Sequence, residues 1–127
     1  MKRLSGLKLL EEREGEGLQA EKGGRVVYNT RIFLNQGDEV PLNDFQAKQV
    51  PKEMIRVVDG VTCIDHTIVL GQRQAIAGIE HALINMKAGG YRKVRISPHL
   101  AYRDKGIPDL IPADAVITVE LWMRKVQ

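Results

Sequence analysis

Few residues of this chain are of the types that carry out covalent or metal chemistry. The histidines His66, His81 and His99 lack the paired spacing of a metal site, and Cys63 is the one cysteine. The chain has neither a glycine-rich phosphate-binding loop nor a Gly-x-Ser-x-Gly nucleophile motif. We therefore predict no metal and no cofactor, and we expect each histidine to have a surface or packing role.

The stretch at residues 70–102 organises the rest of the chain. Four of its apolar residues recur at intervals of three and four, which places side chains on one face of a helix: Ile76, Ile79, Leu83 and Met86. Lys87 suits the negative pole of that helix, and Gly89-Gly90 can take the left-handed conformation of a helix stop. The pattern predicts one short amphipathic helix that ends at these glycines.

Strand patterns lie on both sides of the predicted helix. Alternating or apolar runs occupy residues 7–12, 24–34, 67–70, 93–96 and 115–123. Tyr28 falls on the apolar face of the second run, so we expect it to point at the core or at a pocket in it. Several strands around one helix predict an α+β domain with an antiparallel sheet.

Residues 35–52 are rich in glycine, proline, asparagine and aspartate, which favours a loop. After it, Asp59-Gly60 is one of the strongest short hairpin signals, because both turn positions tolerate positive φ. The strands predicted beside this turn are Ile55–Val58 and Val61–Ile64. We predict a single domain over residues 1–127, with a peripheral insertion at about residues 35–66.

The net charge of +3 comes from 19 basic and 16 acidic residues. The basic residues are scattered, and Arg92, Lys93 and Arg95 alternate along a predicted strand, which indicates a solvated face rather than a phosphate-binding track. Lys8 and the glutamates that follow it interrupt the apolar start, so we predict no signal peptide and no membrane span. We expect no nucleic-acid or membrane partner, and the lone cysteine favours a cytoplasmic location.

An ordered series of motifs runs from Leu70 onward. The series is Leu70-Gly71, Ile76-Ala77-Gly78-Ile79-Glu80, Met86, Gly90, Arg92, Ile96-Ser97-Pro98, Ala101-Tyr102, Gly106, Ile111-Pro112 and Val119-Glu120-Leu121, with Gly24 and Val26-Val27-Tyr28 upstream. In this order the motifs resemble the core of the FKBP-type peptidyl-prolyl cis-trans isomerases. The likeness covers about residues 7–121, with a poorly matching stretch at 30–67. It implies the FKBP fold, an antiparallel sheet wrapped around one short helix, here with an extra hairpin and loop.

The resemblance also implies a site for a proline ring and the peptide bond beside it. Isomerising that bond requires no nucleophile or metal, but it does require an apolar pocket and donors for the neighbouring carbonyls. The matching catalytic positions are the backbone N–H of Ile76, the hydroxyl of Tyr102, and Tyr28. The matching substrate-binding positions are His66, Ala75, Ile79, Leu110, Ile111 and Ile117.

Several positions depart from the family pattern. Ile79 stands where the family usually has a pocket-floor tryptophan, His66 falls near a usual phenylalanine, and Ile117 or Val119 replaces an aromatic in the last strand. Arg103 replaces the glycine after the tyrosine, and Val40-Pro41 replaces a phenylalanine-aspartate pair. Trp122 faces away from Ile117 and cannot compensate. We therefore expect an aromatic-poor pocket, weak activity on proline-containing polypeptides and poor binding of macrolide inhibitors.

Two functions of different class follow from this reading. The first is an FKBP-type prolyl isomerase with an aliphatic pocket. The second is a non-catalytic relative that uses the fold as a peptide-binding or chaperone module, with the peptide docked on the pocket rim and the added hairpin. A protease-free isomerisation assay distinguishes the two.

Overall fold

The computed structural model describes residues 5–127, and for Asn43, Asp44 and Phe45 it describes the backbone only. The first four residues, on which part of the signal-peptide prediction rests, lie outside this range. In chain order the elements are β1 (Leu7–Arg13), β2 (Arg25–Leu34), β3 (Glu39–Val40), α1 (Leu42–Ala47), β4 (Ile55–Val58), β5 (Val61–Ile64), β6 (His66–Val69), α2 (Ala77–Leu83), β7 (Tyr91–Ile96) and β8 (Ile117–Val126).

The main sheet is antiparallel throughout and has the order β1-β7-β8-β2-β3, with β6 also paired to β2. The central pair, β2 and β8, is paired from Val26 opposite Val126 to Leu34 opposite Ile117, with a shift of register between Val27 and Tyr28. Helix α2 packs against β7 and β8. The predicted α+β architecture, an antiparallel sheet on a short helix, is confirmed.

The core lies between the inner face of this sheet and α2. Alternate residues of β2 and β8 point into it, as their period-two pattern predicts. The helix approaches the sheet closely because Gly78 has no side chain: a Cβ atom there would lie 2.5 Å from Cγ2 of Ile96. The fully or nearly fully buried members from these elements are Val26, Tyr28, Ile32, Ile79, Ala82, Leu83, Val94, Ile96, Ile117, Val119, Leu121 and Met123.

Helix α2 ends at Leu83, so the predicted end at Gly89-Gly90 is wrong. Ile84 is already extended, and Asn85 has a φ of +71°. Hydrogen bonds to other parts of the chain replace the helical ones at this point. The Asn85 N–H donates to the carbonyl of Ala20, and the Arg92 guanidinium donates to the carbonyls of Ala82 and Ile84. The helix stops where side chains and neighbouring backbone satisfy its last groups better than another turn would.

The burial of Arg92 contradicts the prediction that the basic residues of β7 form a solvated face. Its side chain is buried, with a residue exposure of 5%, whereas Lys93 is half-buried and Arg95 is exposed. Besides the two helix carbonyls, its Nε donates to Oε2 of Glu12 at 2.5 Å. A buried guanidinium needs this full set of acceptors, because an unpaired charge in the core is costly.

The segment predicted as a loop before the hairpin contains the short elements β3 and α1, so that prediction is wrong in part. The hairpin itself forms as predicted, with Asp59 and Gly60 at φ of +50° and +79°. The extent of the single domain stays a prediction. No helix of residues 5–127 is long and apolar enough to cross a membrane. That same range holds no group of three or more His, Cys, Asp or Glu residues placed to bind a metal.

Candidate active site

Tyr28 lies at the centre of the predicted site, on the inner face of β2. It is buried, and its ring stacks on that of His66, its cross-strand partner on β6, with centroids 5.2 Å apart and 25° between the planes. Burial raises the pKa of the Tyr28 hydroxyl, and the nearby Tyr102 and Glu80 raise it further. Tyr28 therefore stays protonated at all ordinary pH values, and it shares one neighbourhood with Tyr102 and Glu80.

Tyr102 follows a short 3₁₀ helix at Pro98–Leu100 and packs against the same core from its rim. Its loop is fixed by backbone hydrogen bonds: the Arg103 N–H donates to the carbonyl of Pro98, and the Gly106 N–H to that of Tyr102. Burial raises the pKa of the Tyr102 hydroxyl, which makes no hydrogen bond to any group described in residues 5–127. This hydroxyl is therefore available to donate to a ligand.

The loop that overhangs the site is closed by a small backbone bridge. Ile107 and Ile111 exchange two N–H to carbonyl bonds of 2.8 Å each. Gly106 has a φ of +57°, and a Cβ atom there would collide with the carbonyl oxygen of Ile111, so the close loop needs glycine. The bridge holds Ile111 in the core and Leu110 at its rim.

The backbone N–H of Ile76 precedes the first turn of α2 and has no acceptor among the groups that the structure describes. The segment before it is held by two side chains. The Gln74 N–H donates to Oε1 of Glu80 at 3.2 Å, and the Val69 N–H donates to Oε1 of Gln74 at 2.8 Å. These bonds position the Ile76 donor at the edge of the apolar cluster.

The predicted site residues lie in the hydrophobic core of the domain or pack against it. Of the predicted residues, the buried core contains Tyr28, Ile79, Ile111 and Ile117, and its rim contains Ala75, Ile76, Tyr102 and Leu110. His66 joins them through its stacking on Tyr28. Their roles in binding and catalysis stay predictions, and so does their meeting in a single pocket.

His66 is the polar member of this group. Burial lowers the pKa of its imidazole, and the carboxylate of Asp65 opposes the shift only partly. The ring is therefore neutral at pH 7. Its Nε2 atom is buried and has no hydrogen-bond partner among the described residues. A phenyl ring at this position would carry no such unsatisfied atom.

Sequence reasoning missed two residues that support the site, Gln74 and Glu80. Glu80 is part of a motif in the sequence, but its hydrogen bond to the backbone N–H of Gln74, just before Ile76, was not predicted. One signal was available: Glu80 lies between apolar residues of a helix that buries most of its surface, where a carboxylate needs a donor. Nothing in the sequence indicates that this donor is the backbone of Gln74.

Comparisons with known proteins match the chain to a family and to several relatives. The family described as FKBP-type peptidyl-prolyl cis-trans isomerase matches residues 17–122. A Neurospora crassa protein named FK506-binding protein 1A is 29% identical over 118 residues, which cover 92% of this chain and 85% of that protein. A Bos taurus protein named peptidyl-prolyl cis-trans isomerase FKBP11 is 52% identical over 48 residues, 38% of this chain and 24% of that protein.

An Aspergillus fumigatus protein named FK506-binding protein 4 matches the whole chain at 24% identity, although the chain spans only 22% of its length. The chain therefore covers most of one relative but about a quarter or less of the other two. Because the family match extends over most of the chain, this protein belongs to the FKBP-type peptidyl-prolyl cis-trans isomerase family.

Proposed function

We propose that this protein isomerises the peptide bond before proline in polypeptides. The observation that carries the proposal is the pair of donors without partners, the Ile76 N–H and the Tyr102 hydroxyl, at the rim of one apolar cluster. A proline ring can pack on that cluster while the donors hold the carbonyls beside the bond. Removing water disfavours the polar planar amide relative to its twisted state, which lowers the barrier of ~18–20 kcal/mol.

We further propose that the activity is weak. At the positions where the family carries aromatic rings, this chain places the aliphatic side chains of Ile79 and Ile117, and the rings that remain at the site are Tyr28, His66 and Tyr102. Each missing ring removes about 0.5–1.5 kcal/mol of specific contact, so losing two or three lowers kcat/KM by roughly ten- to a thousandfold. Macrolide inhibitors should bind poorly for the same reason.

A protease-free assay of a short proline-containing peptide tests the proposal. We expect measurable isomerisation by the wild type and a loss of about tenfold in kcat/KM for Tyr102→Phe, which removes one donor. Tyr91→Phe is the matched control, because Tyr91 lies on the outer face and donates to Glu120 at 2.6 Å. Absence of any catalysed isomerisation, or an equal loss in both variants, would contradict the proposal.

A non-catalytic peptide-binding or chaperone role is the second candidate, and one observation favours it. The hairpin β4–β5 exposes Val57, Val58 and Val61, which are 69%, 46% and 37% accessible. Exposed apolar side chains grouped on one element are typical of a surface that binds other chains. Under this alternative the protein should slow the aggregation of an unfolded, proline-free protein while showing no isomerase activity.

A further inference from the structure

The hairpin β4–β5 stands over the outer face of the sheet, opposite the candidate active site. Its base is fixed there by Asn29 of β2, whose Nδ2 donates to the carbonyl of Ile64 and to Oδ1 of Asp65, both at 2.7 Å. Arg56 completes the junction, with one N–H to Oδ1 of Asp65 at 3.2 Å and another to Oδ1 of Asn29 at 2.6 Å. The tip, at Asp59-Gly60, has no comparable anchor among the bonds of the described residues.

A groove of about 460 Å³ separates the hairpin from the sheet, and we call it the outer groove. Its volume lies within the ~300–1,000 Å³ of typical ligand sites. One wall is the hairpin face that carries Val58 and Val61, and the other wall is the outer face of β2 and β8, where the Trp122 indole lies. An apolar side chain can therefore insert between the indole and the two valines.

One positive charge of the outer groove has no direct hydrogen-bond or ion-pair partner among the described residues, although the Asp65 carboxylate lies within its electrostatic reach. Arg31 is paired with Glu39, and Arg56 is paired with Asp65. Arg124 lines the same groove, is exposed, and makes no hydrogen bond or ion pair within residues 5–127. Asp59 is the acidic residue of the described lining, and it lies at the hairpin turn. An incoming carboxylate would complete the contacts of Arg124 with a charge-assisted hydrogen bond.

Val57, the most exposed of the three valines, precedes Val58 on β4, so its side chain points to the hairpin face that turns away from the outer groove. A small molecule held in the groove would leave this second apolar face in water, whereas a polypeptide that crosses the edge of the hairpin could cover both faces. We propose that the outer groove binds a polypeptide segment in which an apolar side chain stands beside an acidic one. This deepens the proposed function and rests on it in one respect, namely that the protein's partners are polypeptides.

The test uses a proline-free probe, so that the candidate active site is not engaged. The probe is a hexapeptide that alternates leucine and glutamate, acetylated and amidated at its ends. Trp122 is the one tryptophan of the chain and lies in the groove, so its fluorescence reports binding without a label. We expect a saturable change in emission with the peptide, and weaker binding in high salt because the carboxylate contact is screened.

Variants assign the binding to the groove. Arg124→Gln should weaken it about five- to tenfold, and Val58→Asp should weaken it more than tenfold. Arg95→Gln is the matched control, since Arg95 is exposed on β7 of the same sheet but does not line the groove. The peptide with glutamine in place of glutamate should bind about tenfold more weakly. No saturable signal at millimolar peptide, equal binding of the glutamine analogue, or equal weakening by Arg95→Gln would overturn the inference.

The same samples are assayed for isomerisation of a short proline-containing peptide. Retained isomerisation without hexapeptide binding overturns the outer groove alone. Hexapeptide binding without isomerisation overturns the proposed catalytic function and leaves the outer groove supported. The two failures are therefore distinguishable.

Discussion

His66 places a polar ring in an otherwise apolar site, where its Nε2 atom is buried without a partner among the described residues. Leaving such an atom unsatisfied costs about 1–3 kcal/mol. His66→Phe removes the polar atom but keeps a flat ring that can stack on Tyr28. We expect the free energy of unfolding to rise by ~1–2 kcal/mol at pH 7.5, measured by urea denaturation. A decrease would show that Nε2 has a stabilising contact.

His66 also makes the native state sensitive to mild acid. Burial holds its pKa below the ordinary value of 6.5. As the pH falls below about 6.5, the unfolded chain takes up a proton that the native chain does not, so stability falls until the pH reaches the lowered native pKa. Comparing wild type with His66→Phe at several pH values isolates this effect. We expect the wild type to lose more stability between pH 7 and 5, and parallel losses would argue against it.

Substitution of Ile79 tests whether the absence of an aromatic ring at the floor of the site limits the isomerase activity. We expect Ile79→Trp to raise kcat/KM by about threefold or more, because the indole restores a flat apolar floor for proline. Ile79 is well buried, so the larger side chain should also cost ~1–3 kcal/mol of stability. Ile84→Trp, at the half-buried residue after α2, is the control for added bulk. An isomerase rate that falls in both variants would contradict the idea that the floor limits activity.

At the scale of secondary structure, Arg92 joins three elements: α2 through the carbonyls of Ala82 and Ile84, β1 through Glu12, and its own strand β7. Arg92→Met keeps the length of the side chain but leaves those carbonyls unpaired in the core. We expect a loss of about 2–4 kcal/mol in the free energy of unfolding, measured with denaturant. Arg95→Met on the same strand is the control and should change stability by less than ~0.5 kcal/mol. Similar losses in both variants would refute the role of Arg92.

The strands, the hairpin turn and the end of α2 show which parts of the secondary structure the sequence can predict and which it cannot. The strands and the hairpin turn at Asp59-Gly60 were predictable because alternation and turn chemistry are local. The end of α2 was not, since it depends on Ala20, which lies far from Leu83 in the chain, and on the Arg92 side chain, which reaches back from the next strand. Val40 and Leu42 belong to elements within a segment of loop composition, where short-range propensity is weak and core packing decides.

At the scale of the whole molecule, the fold separates two surfaces with different chemistry. Tyr28 lies on the inner face of the sheet, and Ile79 and Tyr102 belong to or pack against the same core. The prediction that these three residues form one site came from the likeness to a family, because spacing alone does not bring residues so distant together. The outer groove was not predicted at all. It arises because the hairpin folds back onto Asn29, a contact that no local pattern indicates.

The attachment of the hairpin depends on Asp65. Burial alone would raise the pKa of its carboxyl, but the hydrogen bonds from Asn29 and Arg56, with the charges of Arg56 and Arg124, bring it below the ordinary value. The charged carboxylate therefore stabilises the junction above about pH 4, and this contribution is lost as the pH falls through the lowered native pKa. Neutralising this carboxylate should release the hairpin from the sheet.

Amide hydrogen exchange at constant neutral pH measures this release. We expect amides of β4 and β5 to exchange faster than those of β2 in the wild type, because within residues 5–127 the hairpin strands pair only with each other. Asp65→Asn should speed hairpin exchange by a further five- to thirtyfold, which corresponds to about 1–2 kcal/mol, with β2 and β8 unchanged. Asp59→Asn, the same change at the exposed turn, is the control. Hairpin exchange as slow as that of β2, or uniform acceleration of all strands by Asp65→Asn, would show that the hairpin unfolds only together with the sheet.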